Sequence, residues 1–481
     1  MTAPLVSVCV PARDAGRFLG GALASALAQD VPLELLVCDD GSRDATPRVA
    51  QLAAARDPRV RILRHRKPRG VVAARNALLA AARGRYVAWL DADDLYVPGG
   101  LAAQVALLER EPEVAFVYGA AQIVDEHGRV LPPWRRPFAH DAIEPSADAF
   151  AELLLANEVV TSTVVARREA LIAAGGFVEV GASSSDWDMW LRLAQRGAVA
   201  YRAELVACYR QHPGSISRAA SVSGERLRCD ARVVRRALRV HGGSLRISAS
   251  HGCTDPHCSD DDRTALAHRG RSALAAKALV HAGDAQTRGD RRAALRGLAL
   301  AARQRPDLAG ELAALARATL RGDDYACFTT RNALLDRVAG ALAGTRYGDA
   351  LAARATPDPD WEATLARIAG TVRAVTPEDA VLGTVTKWDP TLLALSGRRG
   401  RNFPDRTALP DGYPADDAAA LAHLEQQREA GLSHLVFPCA SLWWLDHYAG
   451  LAERLRATGP PVHQDDDCVV FDLRAARAAA A

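Results

Sequence analysis

The sequence lacks several features that would assign the chain to a specialised class. No uninterrupted apolar run in the 481 residues approaches the roughly 20 residues needed to cross a bilayer. The net charge of +3 is too small to favour a general nucleic-acid-binding protein. The 9 cysteines are odd in number and scattered, which argues against a disulfide framework and favours a reducing compartment. The N-terminal stretch has no basic n-region, so we expect a cytoplasmic protein without a signal peptide.

The composition is that of a globular protein with a sizeable core. Hydrophobic residues make up 49% of the chain and charged residues 24%. A chain of this length is expected to form two or three domains. We predict a first domain over residues 1–240, an α-helical region over 241–375, where Ala, Leu and Arg recur at helical spacing, and a small α/β domain of unknown role over 376–475.

The first of these regions alternates apolar strands with amphipathic helices. Its predicted strands are residues 5–10, 33–40, 60–65, 86–91 and 114–119. Strands that are apolar along their whole length and alternate with helices are typical of a parallel sheet covered on both faces. We therefore predict an α/β fold for this domain.

Acidic side chains follow two of these strands. Asp39 and Asp40 end the second strand, and Asp91, Asp93 and Asp94 follow the fourth. Ligands of an open parallel sheet bind beyond the carboxyl ends of its strands, so both clusters are expected at one edge. Asp also favours turns and helix N-caps, which is the simpler explanation for either cluster alone. Together they favour a site for Mg²⁺ or Mn²⁺.

An ordered set of motifs identifies the family that this chain resembles. The motifs are "VSVCVPARDAGRFLGGALASALAQ", "ELLVCDDGSRDAT", "RGVVAARNALLAAARGRYVAWLDADD", "SSSDWDMWLRLAQRG" and "YRQHPGSIS". They span roughly residues 4 to 220 and look like a family 2 glycosyltransferase. That resemblance implies the GT-A fold, a Rossmann-like mixed, mostly parallel sheet, for the N-terminal domain. At Arg13-Asp14 the sequence departs from the aromatic-Asn pair that is usual there.

The resemblance also implies which residues bind the donor. Asp39 would contact the base of a nucleotide sugar, and Arg75 would help to hold the nucleotide. Asp40 and Trp187, which adjoin matched motif positions, are predicted to contact the substrate with them.

The metal ligands follow from the same resemblance. Asp91-Ala92-Asp93 would be the DxD motif, with Asp91 near the ribose and metal and Asp93 a direct metal ligand. His212 would complete the metal and diphosphate site, although a lone histidine in a polar loop is more often an ordinary surface or core residue. The implied cofactor is Mg²⁺ or Mn²⁺.

Asp186 is the candidate general base. An apolar helical face begins beside it, and Ser185 and Asp188 have the spacing of a capping box, which would explain Asp188 structurally. A carboxylate at a helix N-terminus is favoured in its charged form, so Asp186 can accept a proton. In the family, the carboxylate at this place is the base of inverting transfer. The alternative is a carboxylate that only complements the helix dipole.

These observations predict a metal-dependent enzyme that transfers a sugar from a nucleotide sugar, UDP-linked by family default, with inversion. The acceptor would be a glycan, a lipid-linked saccharide or a protein, and no nucleic acid is expected. The basic run "RHRKPRG" (64–70) leaves two hypotheses open, a solvated loop or a contact with the donor diphosphate or the inner face of a membrane. The alternative function is a nucleotide-sugar-binding scaffold. A nucleotidyltransferase is disfavoured because "VPARDAGRF" supplies no Gly-rich phosphate loop.

Two further groups have a weaker case for function. His251, Cys253, His257 and Cys258 hint at zinc, but their spacing is not a common finger spacing. Trp443, Trp444 and Tyr448 in "LWWLDHY" are expected to be core, with acceptor stacking as the alternative.

Overall fold

The computed structural model describes residues 3–131, 140–181, 183–240, 260–287, 289–321, 324–355, 359–386, 391–404, 414, 416–442 and 444–474. The chain divides into two compact units, Met1–Leu274 with Gly344–Tyr347, and Ala275–Ala343 with Gly348–Ala481. The sequence predicted three domains, whereas the structure groups the helices after residue 274 with the C-terminal sheet.

The first unit alternates strands and helices along the chain. Its elements are β1 (Val6–Ala12), α1 (Leu19–Leu27), β2 (Leu33–Asp40), α2 (Thr46–Arg56), β3 (Val60–His65), α3 (Val71–Ala81), β4 (Tyr86–Trp89), β5 (Leu95–Tyr96), α4 (Gly100–Arg110), β6 (Val114–Val124), β7 (Ala142–Glu144), α5 (Ser146–Leu155), a 3-10 turn (Thr161–Thr163), β8 (Val165–Arg167), α6 (Arg168–Ala173), α7 (Ser185–Ala194), β9 (Ala198–Arg210), α8 (Ile216–Ser223) and α9 (Glu225–Val240).

Nine strands of the described residues form one sheet in this unit. The order is β3-β2-β1-β4-β8-β6-β9-β5, and β7 pairs with β9. β1 pairs in parallel with β2 and β4, and β6 pairs in parallel with β9. β8 runs antiparallel to both β4 and β6. The predicted mixed, mostly parallel sheet is confirmed. The five predicted strands of this region correspond to β1 to β4 and β6, and the sequence pattern missed β5, β7, β8 and β9.

Helices cover both faces of this sheet. Along β1, Val8 contributes to a core that includes Leu23 of α1, and the next residue, Cys9, contributes to a core on the other face with Trp89 and Leu78 of α3. Successive strand residues point to opposite faces, so a strand that is apolar throughout has to be covered on both. This explains why the pattern of the sequence predicted a doubly covered sheet.

Helices and a smaller sheet follow. Their elements are α10 (Asp260–Thr287), α11 (Arg291–Gln304), α12 (Ala309–Arg321), α13 (Asp324–Gly340), α14 (Arg346–Ala355), α15 (Pro359–Val375), β10 (Val381–Thr384), α16 (Thr391–Ser396), β11 (Arg399–Asn402), α17 (Asp417–Glu429), β12 (His434–Pro438), α18 (Trp444–His447), α19 (Ala449–Thr458), β13 (His463–Gln464) and β14 (Cys468–Asp472). The strands of this part form a sheet in the order β11-β10-β12-β14-β13. The predicted helical segment and small α/β region are confirmed.

The aromatic residues of α18 belong to the core of this smaller sheet. Trp444 and Tyr448 are buried against Phe403 and Phe437, and the Tyr448 hydroxyl donates to the Pro414 carbonyl at 2.9 Å. Acceptor stacking by these two residues is therefore wrong. Trp443 and the His251–Cys258 group lie outside the described residues. No helix in the described part of the chain has the length and apolar character of a membrane span.

Candidate active site

The parallel register of three strands brings the two acidic clusters to one edge of the first sheet. Ala12 at the end of β1 lies opposite Asp39 of β2, and Cys9 lies opposite Trp89 at the end of β4. The acids that follow β4 therefore leave the sheet on the same side as Asp39 and Asp40. This common edge was predicted from the sequence and is present in the fold.

Asp91 is paired with a buried arginine. Nη2 of Arg75 donates to Oδ1 of Asp91 at 3.1 Å, and the guanidinium lies 5.4 Å from the ring centroid of Phe177. Partial burial raises the pKa of Asp91, against the Arg75 charge, and the carboxylates of Asp93 and Asp186 raise it further. The Asp91 N–H donates to Ser162 Oγ at 3.0 Å and the neighbouring Thr161 donates to Asp186, so the Thr161–Thr163 turn links the start of α7 to the end of β4.

Asp93 meets His212. Nε2 of His212 lies 2.9 Å from Oδ2 of Asp93, although the two residues are 119 positions apart in the chain. The His212 ring packs on Phe18, with 5.0 Å between centroids, and Nε of Arg210 donates to the main-chain carbonyl of Asp93 at 2.8 Å. Arg210 at the end of β9 thus holds the backbone of Asp93, and His212 just after it holds the side chain.

Asp94 anchors the same loop from inside the protein. It is buried, its Oδ2 accepts from Ser162 Oγ at 2.5 Å, and its Oδ1 accepts from the Arg210 N–H at 2.8 Å. Burial raises the pKa of Asp94 well above its usual range, and the charges of Asp93 and Asp91 raise it further. Asp94 therefore stabilises the loop and leaves Asp93 as the acid that faces His212.

The predicted metal ligands are only partly assembled. The described residues include one set of three candidate ligands with donor atoms within 4.8 Å of one another, and it lies in the second unit. Of the predicted ligands Asp91, Asp93 and His212, the structure brings Asp93 and His212 together. Oδ1 of Asp91 is paired with Arg75 instead, and the role of Asp91 as a metal ligand stays a prediction.

Asp186 lies at the start of α7, as predicted. Its Oδ2 accepts a hydrogen bond from Oγ1 of Thr161 at 3.0 Å. The predicted capping box is wrong, because Ser184 is the N-cap and makes no side-chain cap. Asp188 instead pairs with Arg192 at 2.8 Å and with Arg236 at 3.0 Å, which explains it structurally by another route.

Asp39 carries a buried oxygen that has no hydrogen-bond donor in the described part of the chain. Oδ1 of Asp39 accepts from the Ser42 N–H at 3.0 Å. Oδ2 is buried, and its nearest charge is Nε of Arg64 at 3.3 Å. A buried carboxylate oxygen without a donor is costly, so this atom is available for a donor from a ligand. Arg64 opens the basic run "RHRKPRG", which therefore begins beside Asp39.

Asp40 does not point to the ligand side, which corrects its predicted role. Oδ1 lies 2.6 Å from Nδ1 of His65 and accepts from the Arg69 N–H, and Oδ2 accepts from the Gly70 N–H at 2.8 Å. Burial alone would raise the pKa of Asp40, but these hydrogen bonds outweigh it and lower the pKa. Asp40 thus holds the segment that leads into α3.

The structure also does not support the predicted substrate contact of Trp187. Its side chain is fully buried in the core of the first unit, and its Nε1 donates to the Leu153 carbonyl at 2.6 Å. It follows Asp186 in sequence, but on a helix the next residue lies about 100° around the axis, so it faces the core instead of the site.

The loop after β1 explains the departure at Arg13-Asp14. Asp14 adopts a positive φ of 48°, a conformation that Asp and Asn tolerate better than most residues. Its Oδ1 accepts from the Arg43 N–H at 2.8 Å and its own N–H donates to Ser42 Oγ at 3.0 Å. Asp14 therefore ties the loop after β1 to the loop after β2.

Sequence analysis missed the residues that hold the acids in place. Thr161, Ser162, Phe18 and Arg210 contact Asp186, Asp94, His212 and Asp93 respectively. Phe18 and Arg210 lie within quoted motifs, and of the four residues Arg210 alone lies near a predicted ligand in sequence, two positions before His212. The others are ordinary residue types whose partners are distant in sequence.

Comparison with known proteins identifies the family. The model of glycosyl transferase family 2 matches residues 7–171. The putative glycosyltransferase EpsE of Bacillus subtilis is 31% identical over 206 residues, which cover 41% of this chain and 69% of EpsE. The chain belongs to glycosyltransferase family 2. The resemblance inferred from the motifs is confirmed.

Other proteins are similar to this chain over part of its length. An uncharacterized protein of Mycobacterium tuberculosis is 33% identical over 194 residues, 39% of this chain and 52% of that protein. The chain thus spans about half the length of the first curated relatives that it matches. A crystal structure of S. aureus TarS 1-349 in complex with UDP-GlcNAc aligns with a TM-score of 0.46 and 15% identity, covering 68% of this chain and 90% of that TarS fragment.

The lowered pKa of Asp40 predicts a pH-dependent contribution to stability. A carboxyl group with a lowered folded-state pKa stabilises the fold above its unfolded pKa, near 4, and loses that contribution as the pH falls through the folded value. We expect Asp40→Asn to lower the urea midpoint at pH 7 and to differ less from the wild type as the pH falls below about 4. Asp30→Asn, which alters an exposed carboxylate, is the control. A difference of constant size from pH 7 to pH 3 would contradict this account.

Proposed function

We propose that this protein transfers a sugar from a nucleotide-sugar donor to an acceptor hydroxyl group, with a divalent cation and with inversion at the anomeric carbon. The observation that carries the proposal is the contact between Asp93 and His212, at 2.9 Å, together with a second carboxylate, Asp186, which the Thr161–Thr163 turn ties to the end of β4. The parallel strands bring these groups to the sheet edge where open α/β folds bind ligands.

Two buried atoms support a nucleotide donor at this edge. Oδ2 of Asp39 has no donor and Nε of Arg75 has no acceptor among the described residues. Asp39 would accept a hydrogen bond from an N–H of the base, and Arg75 would donate to the nucleotide. Buried groups of this kind normally have partners, so a ligand that supplies both would be bound strongly. UDP is the default nucleotide on family grounds.

A divalent cation fits Asp93 and His212. Their facing atoms are a carboxylate oxygen and an imidazole nitrogen, a set that suits Mn²⁺ better than Mg²⁺, which prefers oxygen ligands alone. When bound, the ion would neutralise charge on the nucleotide diphosphate that leaves. Two protein ligands leave coordination positions for phosphate oxygens and water.

Asp186 would act as the general base. The oxygen of the acceptor hydroxyl attacks the anomeric carbon from the face opposite the diphosphate. The new C–O bond forms as the bond to the diphosphate oxygen breaks, and the hydroxyl proton passes to Asp186. Thr161 Oγ1 donates to Oδ2 of Asp186, which fixes the orientation of the carboxylate.

The donor and its metal dependence can be tested by a panel of nucleotide sugars. We expect one class of donor to raise the Tm only when Mn²⁺ is present, and the same donor to be hydrolysed or transferred. Asp93→Ala should abolish the Mn²⁺-dependent shift. Asp30→Asn should keep it, because Asp30 precedes β2 and so lies at the opposite edge of the sheet. Donor binding with neither hydrolysis nor transfer to any acceptor would favour the scaffold hypothesis.

The proposed role of Asp186 predicts that its substitution slows sugar transfer without weakening donor binding. Asp186→Asn removes the proton acceptor and keeps the shape of the side chain, so we expect the transfer rate to fall by about 10²–10⁴. The donor-induced shift in Tm should be unchanged. The measurement is single-turnover transfer with the donor identified by the panel. Transfer at the wild-type rate by this variant would remove the base assignment.

Thr161 is predicted to be a positioning residue for this base. Thr161→Val removes the hydrogen bond that orients the Asp186 carboxylate, so the single-turnover transfer rate should fall while the donor-induced shift in Tm stays unchanged. Thr161→Ser keeps the hydroxyl and should restore the wild-type rate. A lower rate that Thr161→Ser does not restore, or an equal loss of donor binding, would indicate that Thr161 only stabilises the fold.

A further inference from the structure

A group of potential metal ligands lies in the second unit. The short strands β13 and β14 form an antiparallel hairpin, with His463 opposite Val470. His463, Asp465 and Cys468 each offer one donor atom from this hairpin, and these atoms all lie within 4.8 Å of one another. Among the described residues, no other group of three potential ligands has its donor atoms this close together.

The backbone of the hairpin fixes the carboxylate of this group. Oδ1 of Asp465 accepts from the N–H groups of Asp467 at 2.9 Å and Cys468 at 2.7 Å. Oδ2 remains free of the turn and lies 2.8 Å from Nε2 of His463. The carboxylate, the imidazole and the start of β14 are therefore held together by the turn itself, which lowers the entropic cost of binding an ion.

A second thiol lies at the end of the neighbouring strand. Pro438, the last residue of β12, is opposite Cys468, and Cys439 follows it. The Cys439 N–H donates to the Asp467 carbonyl at 2.7 Å, so this residue is tied to the same turn. Both cysteines are free thiols. An imidazole, a carboxylate and two thiols are all groups that bind zinc in proteins.

We propose that His463, Asp465 and Cys468 bind a structural Zn²⁺ ion and that Cys439 moves in as the fourth ligand. Zinc–ligand bonds of about 2.0–2.3 Å put the donor atoms of a tetrahedral site about 3.5 Å apart. For the first three residues a separation of up to 4.8 Å thus requires side-chain movements of about an ångström, whereas Cys439 does not belong to the 4.8 Å group and has to move further. Thiolate ligands favour zinc over the Mg²⁺ or Mn²⁺ proposed for the first unit.

The charges around the hairpin also suit a cation. Asp465, Asp466 and Asp467 are consecutive, and Arg367 pairs with Asp467 at 2.8 Å. The described ion-pair partner of Asp465 is His463. The simpler explanation is an ordinary surface ion pair, which would add little stability and would not involve the cysteines.

The structural consequence is a link between three strands. β13 has 2 residues and stands at the edge of the sheet, so few backbone hydrogen bonds retain it. An ion held by His463 of β13, Cys468 of β14 and Cys439 after β12 would join all three. Since metal binding to the folded state adds to stability, zinc should raise the Tm of this unit.

The test measures zinc binding and leaves transferase activity out of the readout. Full-length protein is dialysed against a chelator, and Zn²⁺ is titrated in competition with a chromophoric chelator. The background carries Cys253→Ser and Cys258→Ser, because the His251–Cys258 group could bind zinc on its own. We expect one equivalent of Zn²⁺ to bind and to raise the Tm by several degrees. His463→Gln and Asp465→Asn should weaken binding by more than about 100-fold, the upper range for loss of an outer-shell partner alone.

Spectroscopy and a matched control decide the role of the thiols. Substitution with Co²⁺ should give a thiolate-to-cobalt charge-transfer band that Cys439→Ser and Cys468→Ser each weaken. Cys468 is buried, so Cys439→Ser and His463→Gln keep the test valid if Cys468→Ser does not fold. Asp466→Asn changes a neighbouring carboxylate outside the ligand group and should bind zinc as the parent does. No zinc binding by the parent, or binding that His463→Gln and Cys439→Ser leave unchanged, would overturn the proposal.

Discussion

The candidate active site depends on the parallel pairing of β2, β1 and β4. Parallel strands end at the same edge, so two acidic segments about 50 positions apart in the chain emerge side by side there. Carboxylates crowded at one edge repel one another unless opposite charge is brought to them. Arg75 supplies one such charge to Asp91. The proposed cation would supply the other beside Asp93, so the binding of substrate and metal follows from the register of the sheet.

The acids at this edge divide into those that hold the structure and those left for chemistry. Asp40 and Asp94 are buried. Asp40 accepts hydrogen bonds from backbone N–H groups at both oxygens, and Asp94 accepts one at Oδ1. They fix the segments on which Asp39 and Asp93 lie. A rigid support of this kind keeps a reactive carboxylate in position without using its own oxygens, which remain available for a ligand.

The two units have different relations to the family. The family model ends at residue 171, and the residues proposed for catalysis all lie in the first unit. The second unit contributes helices and a small sheet whose aromatic residues are used in its own core. Its hairpin combines a short edge strand with thiol, imidazole and carboxylate groups, which is a reason to expect a stabilising ion there.

The sequence by itself determined the strand–helix alternation, the common edge for the acids, the family and the position of Asp186 at a helix start. These follow from local patterns, because apolar periodicity and residues at strand ends are visible within a few positions. The roles of Asp40, Trp187 and Asp91, and the support that Thr161 gives to Asp186, were decided only by the tertiary structure. Each depends on which way a side chain turns and on partners 16 to 34 positions away, and no local pattern records that.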